Sequence, residues 1–232
     1  MAMIDIETLD GSGRFQAYAA EPAATPRAAI IVIQEIFGVN AGIRSKCDDW
    51  AALGYLAVAP DLFWRVKPGV ELDPDVPDQF QDAVGLMNQF DQEKGIEDIE
   101  ASIRTARTRL GGAGKIGCVG YCLGGRLAFM TATRTDVDAS VGYYGVMLDQ
   151  LLNEKHAIAR PLMLHIAGAD QLVPPEVQKV IHEGLDGHPK VVLHDYPGAD
   201  HGFAAQMGQR RNEQAAQLAD KRTEAFFAQH LA

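Results

Sequence analysis

The sequence predicts an α/β fold: one domain over residues 1–232, with a mostly parallel eight-stranded sheet and helices on both faces. Three observations lead there. Short, near-continuous apolar runs recur along the chain, as strands buried on both faces must. Between them lie stretches whose apolar residues fall at spacings of three and four, the signature of helices with one buried face. At 47% apolar and 22% charged over 232 residues, the chain can bury a sizeable core, and disorder, collagen and coiled coil are excluded.

In chain order, residues 3–9 and 14–19 flank Asp10-Gly11-Ser12-Gly13, whose Asp and Gly supply turn conformations that most residues resist, so an antiparallel hairpin is expected. Buried parallel strands are expected at 28–34, 55–59, 115–120, 139–144, 161–167 and 190–195. Helices are expected at 41–53, 80–90, 124–134, 174–186 and 212–230, the last capped by Asn212. The clearest helix carries Ile96, Ile99, Ile103, Ala106 and Leu110 on one face and should lie flat on the sheet. Gly111-Gly112-Ala113-Gly114 then reads as its stop. The irregular stretch from Pro60 to Asp78 holds Pro60, Pro68, Pro74 and Pro77 and is either a stiff pocket rim or a plain surface connection.

Charge and composition narrow the function. A formal charge of -10 repels phosphate backbones and anionic bilayers, so neither nucleic acid nor membrane is an expected partner. The longest clean apolar run, 28–33, is far shorter than the roughly 20 residues that cross a bilayer. Asp5, Glu7 and Asp10 stand where a signal peptide carries Lys or Arg, which points to the cytoplasm. Three cysteines without a Cys-x-x-Cys pair, no metal-ligand spacing and no Gly-x-Gly-x-x-Gly predict neither metal nor organic cofactor.

The chemistry concentrates in Gly120-Tyr121-Cys122-Leu123-Gly124-Gly125, which follows an expected strand and opens an expected helix. Glycines bracket a nucleophile at the spacing of a Gly-x-Ser-x-Gly elbow, with Cys for Ser. Such a turn is so sharp that a Cβ on either side would collide with backbone, and the helix that follows directs its N–H groups toward the sulfur and favours thiolate. In the arrangement that uses this elbow, an acid follows a later strand and a histidine follows the last. Asp170 closes the segment 161–170, and His201 lies in Pro197-Gly198-Ala199-Asp200-His201-Gly202-Phe203, just past the final strand. Both fall at the C-terminal sheet edge, where open α/β sheets bind ligands. A triad of Cys122, Asp170 and His201 on an α/β-hydrolase fold is therefore expected. Asp195 and Asp200 are the rival acids, too close to His201 in sequence to orient it as readily, while Cys47 and Cys118 read as small buried hydrophobes. Of the other histidines, His165 and His194 lie in strand patterns, His182 in a helical one, and His156, His188 and His230 near helix ends or connections.

With the triad order, the Cys elbow, Gln34-Glu35-Ile36-Phe37-Gly38, Ala59-Pro60-Asp61-Leu62 and His201-Gly202-Phe203, the sequence resembles the dienelactone hydrolases over nearly its whole length. That resemblance implies hydrolysis of a small carboxylic ester or lactone through a thioester. It implies that Ile36 and Leu123 donate oxyanion-hole N–H groups and that Glu35 contacts the resting thiol. A carboxylate beside a thiol disfavours thiolate by repulsion, whereas His⁺ favours it, so Glu35 would hold the sulfur neutral until it turns toward His201. Phe37, Phe80, Tyr121 and Phe203 are the expected substrate contacts.

The chain departs from the family where two arginines hold the substrate's carboxylate, since those positions correspond to Phe80 and Ala205. Arg65, Arg126, Arg210 and Arg211 are the candidate replacements; without one, a less acidic lactone or ester becomes the expected substrate. Two other readings stand beside this one, a broader short-chain esterase or thioesterase, and a retired hydrolase that binds a ligand or senses thiol chemistry.

Overall fold

In a computed structural model that describes residues 2–232, strands β1 (Ala2–Glu7) and β2 (Arg14–Ala20) form the expected hairpin, with Glu7 opposite Arg14. The remaining strands are β3 (Ala29–Ile33), β4 (Leu56–Pro60), β5 (Ile116–Tyr121), β6 (Ala139–Tyr143), β7 (Leu162–Ala167) and β8 (Val191–Tyr196). They build one eight-stranded sheet in the order β1-β2-β4-β3-β5-β6-β7-β8, parallel from β4 to β8, with β2 antiparallel to β4. β3 to β7 are buried at every position, as their unbroken apolar runs require. β8 differs: it is the sheet's edge, and Val192 is 44% exposed, so its run of apolar residues covers one side of an edge rather than both faces of an interior strand.

The helices are α1 (Ala41–Ala52), α2 (Pro77–Gln89), α3 (Gln92–Arg109), α4 (Leu123–Arg134), α5 (Pro175–Leu185) and α6 (Glu213–His230). Trp50 of α1 meets Phe227 of α6 edge to face at 5.4 Å, which sets those two helices side by side on one face of the sheet. On α3, Ile96, Ile99, Ile103 and Ala106 are buried, the face their spacing predicts, and each buried Ile contributes roughly 1.5–3 kcal/mol over exposure. Gly112 N–H returns to Arg107 O at 2.9 Å and ends that helix. Asn212 caps α6, its side chain accepting from Ala215 N–H at 3.1 Å. A 3₁₀ segment at Leu148–Ala157 was not expected; only Leu148 and Leu151 are buried in it, a three-residue repeat too brief to stand out in the sequence.

The proline-rich stretch is tied down at several points. Leu72 N–H donates to Phe37 O at 2.9 Å, Asn40 Nδ2 donates to Leu72 O at 3.0 Å, and the buried Asp61 carboxylate accepts from Phe63 and Gly69 N–H. The loop is thereby clipped to the turn after β3, at the C-terminal edge of the sheet. Among the described residues, no helix is long and apolar enough to cross a membrane.

Candidate active site

Cys122 stands between β5 and α4 with φ 56° and ψ -115°, a left-handed conformation that costs on the order of 1–3 kcal/mol for a residue with a Cβ. Its surroundings hold it there. Cys122 N–H donates to Tyr143 O at 3.1 Å, and its carbonyl accepts from Gly125 and Arg126 N–H. A Cβ on Gly120 would lie 1.9 Å from Gly124 O, and one on Gly124 would lie 2.4 Å from Ile33 O, so both positions admit glycine alone. The strain holds the sulfur at the head of α4, at the positive end of its dipole.

Asp170 and His201 come from the loops after β7 and β8 and meet at 2.7 Å, Asp170 Oδ2 against His201 Nδ1, both buried. Asp170 Oδ1 accepts from Leu172 N–H at 2.8 Å, which fixes the carboxylate. The rival acids are engaged elsewhere: Asp200 accepts from the backbone N–H of His201, and Asp195 faces His182. His201 Nε2 is buried and has no hydrogen-bond partner among the described residues. Burial opposes a charge on His201, but the neighbouring Cys122 thiol and the Asp170 carboxylate outweigh it and raise the imidazole pKa to about 10.

Glu35 is buried in the turn after β3, and that burial raises its pKa against the pull of Arg210, His201 and Lys46. No hydrogen bond joins the Glu35 carboxylate to the Cys122 sulfur among the described residues, and the titratable group beside the thiol is His201. The backbone N–H groups of Ile36 and Leu123 donate to no acceptor among the described residues. Leu123 is the first residue of α4, so its amide belongs to the helix start that lacks intrahelical acceptors.

Phe37 and Phe80 pack against each other with ring centroids 5.9 Å apart. Tyr121 and Phe203, expected beside them as substrate contacts, lie elsewhere. Strand alternation turns Tyr121 to the α1 and α6 face with Gly117, under the ammonium of Lys46, and Phe203 is fully buried between Tyr144 and Tyr196.

Two groups at the site escaped the sequence reading or were not separable in it. Tyr144 has φ 38°, sets its ring 5.1 Å from His201 and buries its hydroxyl without a partner. Burial holds that phenol well above its usual pKa, so it stays a neutral O–H donor. Among the four arginines, Arg65 pairs with Asp98, Arg126 donates to Gln92 and Met147 O, and Arg211 pairs with Glu213. Arg210 differs: its Nη2 is buried without an acceptor and its guanidinium lies 5.6 Å from the Phe37 ring centroid. It also presses on Gly202, next to His201, where a Cβ would stand 3.4 Å from Arg210 Nε. No sequence signal marks Arg210 above Arg211; only the fold separates them.

Residues 15–231 match the model of the dienelactone hydrolase family. The chain is 47% identical over 232 residues to an Azospirillum brasilense protein named for carboxymethylenebutenolidase, covering 99% of this chain and 100% of that one. It is 41% identical over 225 residues to the carboxymethylenebutenolidase of Pseudomonas putida, covering 97% and 95%. A crystal structure from Klebsiella pneumoniae subsp. pneumoniae MGH 78578, named for dienelactone hydrolase, superposes with a TM-score of 0.83 at 27% identity, covering 99% of this chain and 100% of that one.

Proposed function

The chain belongs to the dienelactone hydrolase family, a family of hydrolases, and we propose that it cleaves a small carboxylic ester or lactone with Cys122 as nucleophile, His201 as proton carrier and Asp170 as the group that orients it. One observation carries the reading. A buried His201 Nε2 without a hydrogen-bond partner sits beside the strained Cys122, while its Nδ1 is held by Asp170 at 2.7 Å.

In the first half-reaction the Cys122 sulfur adds to the carbonyl carbon and the carbonyl oxygen becomes an oxyanion between the Ile36 and Leu123 N–H groups. Removing one comparable donor elsewhere costs about 2.7–4 kcal/mol in the barrier, so these two amides are a main source of rate. The tetrahedral adduct collapses to a thioester, and the departing alkoxide takes its proton from His201. Water then gives a proton to His201, attacks the thioester carbon and displaces the sulfur. With a lactone the alkoxide remains tethered to the acyl group, so release waits for this second step.

Glu35 is read as the group that disfavours thiolate in the resting enzyme, and its burial beside the site supports that reading. Phe37 and Phe80 are read as the substrate's apolar wall. Arg210 is read as the partner of an anionic substituent on the substrate, because its buried Nη2 has no acceptor among the described residues and a carboxylate that arrives with the ligand would supply one. An acidic lactone is therefore favoured over the neutral ester that Phe80 and Ala205 alone suggest.

The test is turnover of carboxymethylenebutenolide beside a neutral short-chain ester, with Cys122→Ala as background. Cys122-dependent turnover that prefers the acidic lactone is the expected result. Arg210→Met should raise KM for that substrate at least tenfold and leave the neutral ester unaffected. Cys122-independent turnover, or none on either substrate, would overturn the reading.

A further inference from the structure

Away from the triad, toward the N-terminal ends of β7 and β8, a cavity of about 500 Å³ opens beside α6. Met163, Val192 and Phe226 give it an apolar middle. Thr223 of α6 hydrogen-bonds with His165, and the His165 ring stacks on His194 at 5.8 Å, so His194 belongs to the sheet face that α6 covers. Every charged or titratable side chain that lines this cavity is basic: Lys190, His194, Arg222 and His230, with no carboxylate among them. The whole chain has the opposite balance, 31 Asp and Glu against 21 Lys and Arg. A cleft lined by one sign of charge focuses its field and concentrates the counter-ion.

The four basic groups form two pairs, one at each end. Arg222 acts on His194, and Lys190 acts on His230. From Lys190 to His194 the chain advances roughly 13 Å at the rise of a strand. From Arg222 to His230 it advances about 12 Å at the rise of a helix, so the two spans match. Arg222 Nη1 donates to Tyr196 Oη at 3.1 Å, and neither Arg222 nor Lys190 makes an ion pair within 4.0 Å among the described residues. Asp195, the neighbour of His194, points to the other side of the strand and faces His182. Lys115, which also acts on His230, is taken up by His230 O and Ala232 O. Burial, then Arg222, lowers the His194 pKa against the pull of Asp195, and burial, then Lys115 and Lys190, lowers that of His230. At pH 7 each end therefore offers one fixed cation and one neutral imidazole.

We propose that this cavity binds an aliphatic α,ω-dicarboxylate, with one carboxylate on Arg222 and His194, the other on Lys190 and His230, and the chain between them along Met163, Val192 and Phe226. Val192, 44% exposed, is apolar surface that such a chain would cover. A monocarboxylate of the same length meets only one of the two cations, and an inorganic anion leaves the apolar middle uncovered. The volume lies within the range of small-molecule pockets. None of Cys122, Asp170 and His201 lines this cavity, so the site stands apart from the hydrolase reading.

Titration calorimetry on the native protein at pH 7 and fixed ionic strength tests it, with adipate, suberate and sebacate, each beside the monocarboxylate of the same chain length. At least one dicarboxylate should bind with millimolar affinity or better, and at least fivefold more tightly than its monocarboxylate. Lys190→Gln and Arg222→Gln should each weaken that dicarboxylate severalfold and bring it toward the monocarboxylate. Lys190 is exposed and its side chain makes no hydrogen bond among the described residues, so its variant reports on binding apart from folding. Absence of binding by all three dicarboxylates, a monocarboxylate that binds as tightly as its dicarboxylate, or dicarboxylate binding indifferent to Lys190→Gln would overturn the proposal.

Discussion

Gly124 has no room for a side chain, because a Cβ there would meet Ile33 O at 2.4 Å and Gln34 O at 2.6 Å, both backbone atoms at the end of β3. Gly124→Ala should therefore cost about 1–3 kcal/mol of stability, seen as a lower urea midpoint, and should reduce turnover further by displacing the Leu123 amide. Both glycine and nucleophile were legible in the sequence, since an elbow is a local pattern. Arg210 and Tyr144 were not: what singles them out is a missing partner, and partners are set by the fold. The role proposed for Glu35 makes a separate prediction. An ionised Glu35 repels thiolate, so Glu35→Gln should speed alkylation of Cys122 by iodoacetamide severalfold and slow ester turnover. Burial raises the Glu35 pKa, so in the native protein the carboxylate becomes neutral as pH falls. The difference in alkylation rate between native and Glu35→Gln protein should accordingly narrow toward acid pH. Unchanged alkylation and unchanged turnover would remove Glu35 from the mechanism.

The helix α6 was legible as an apolar periodicity with an Asn cap, but its attachment to the sheet was not. Thr223 Oγ1 hydrogen-bonds with Tyr143 Oη at 2.7 Å and His165 Nε2 at 2.9 Å, and His165 Nδ1 reaches Tyr196 Oη at 2.7 Å. One hydroxyl thus ties α6 to β6 and β7, and the histidine carries the tie to β8. The partners are 58 and 80 residues apart in sequence, a separation that no local pattern reports. In the sequence His165 is only an odd polar residue in a buried strand; here it is the hub of the ladder. Thr223→Val keeps the shape and leaves His165 Nε2 without its partner, while Tyr143 retains Asp220. The expected loss is about 1–3 kcal/mol by urea unfolding, the cost of one buried polar group left unsatisfied. Turnover should change little, because the ladder supports the strands beneath the triad and does not touch Cys122.

For the whole molecule, two buried histidines pull stability in opposite directions with pH. His165 is fully buried, and desolvation pushes its pKa well below the ordinary 6.5. Below about 6.5 the unfolded chain binds a proton that native His165 refuses, so stability falls as the solution becomes acid. His201 behaves inversely: despite burial, Cys122 and Asp170 raise it to about 10. Its contribution is complete below the unfolded value near 6.5 and is lost as pH rises from there toward about 10. Stability should therefore peak near neutrality and decline on both sides, which urea midpoints at intervals from pH 5 to 10 would reveal. The two limbs are separable. His201→Asn should flatten the alkaline limb and leave the acid limb, since His165 is untouched. Cys122→Ala should flatten the alkaline limb in part, because the thiol is one of the two groups that raise His201. An alkaline limb unchanged in both variants would mean that Cys122 and Asp170 do not hold His201 above its ordinary pKa, and the proton carrier proposed for the reaction would lose its support.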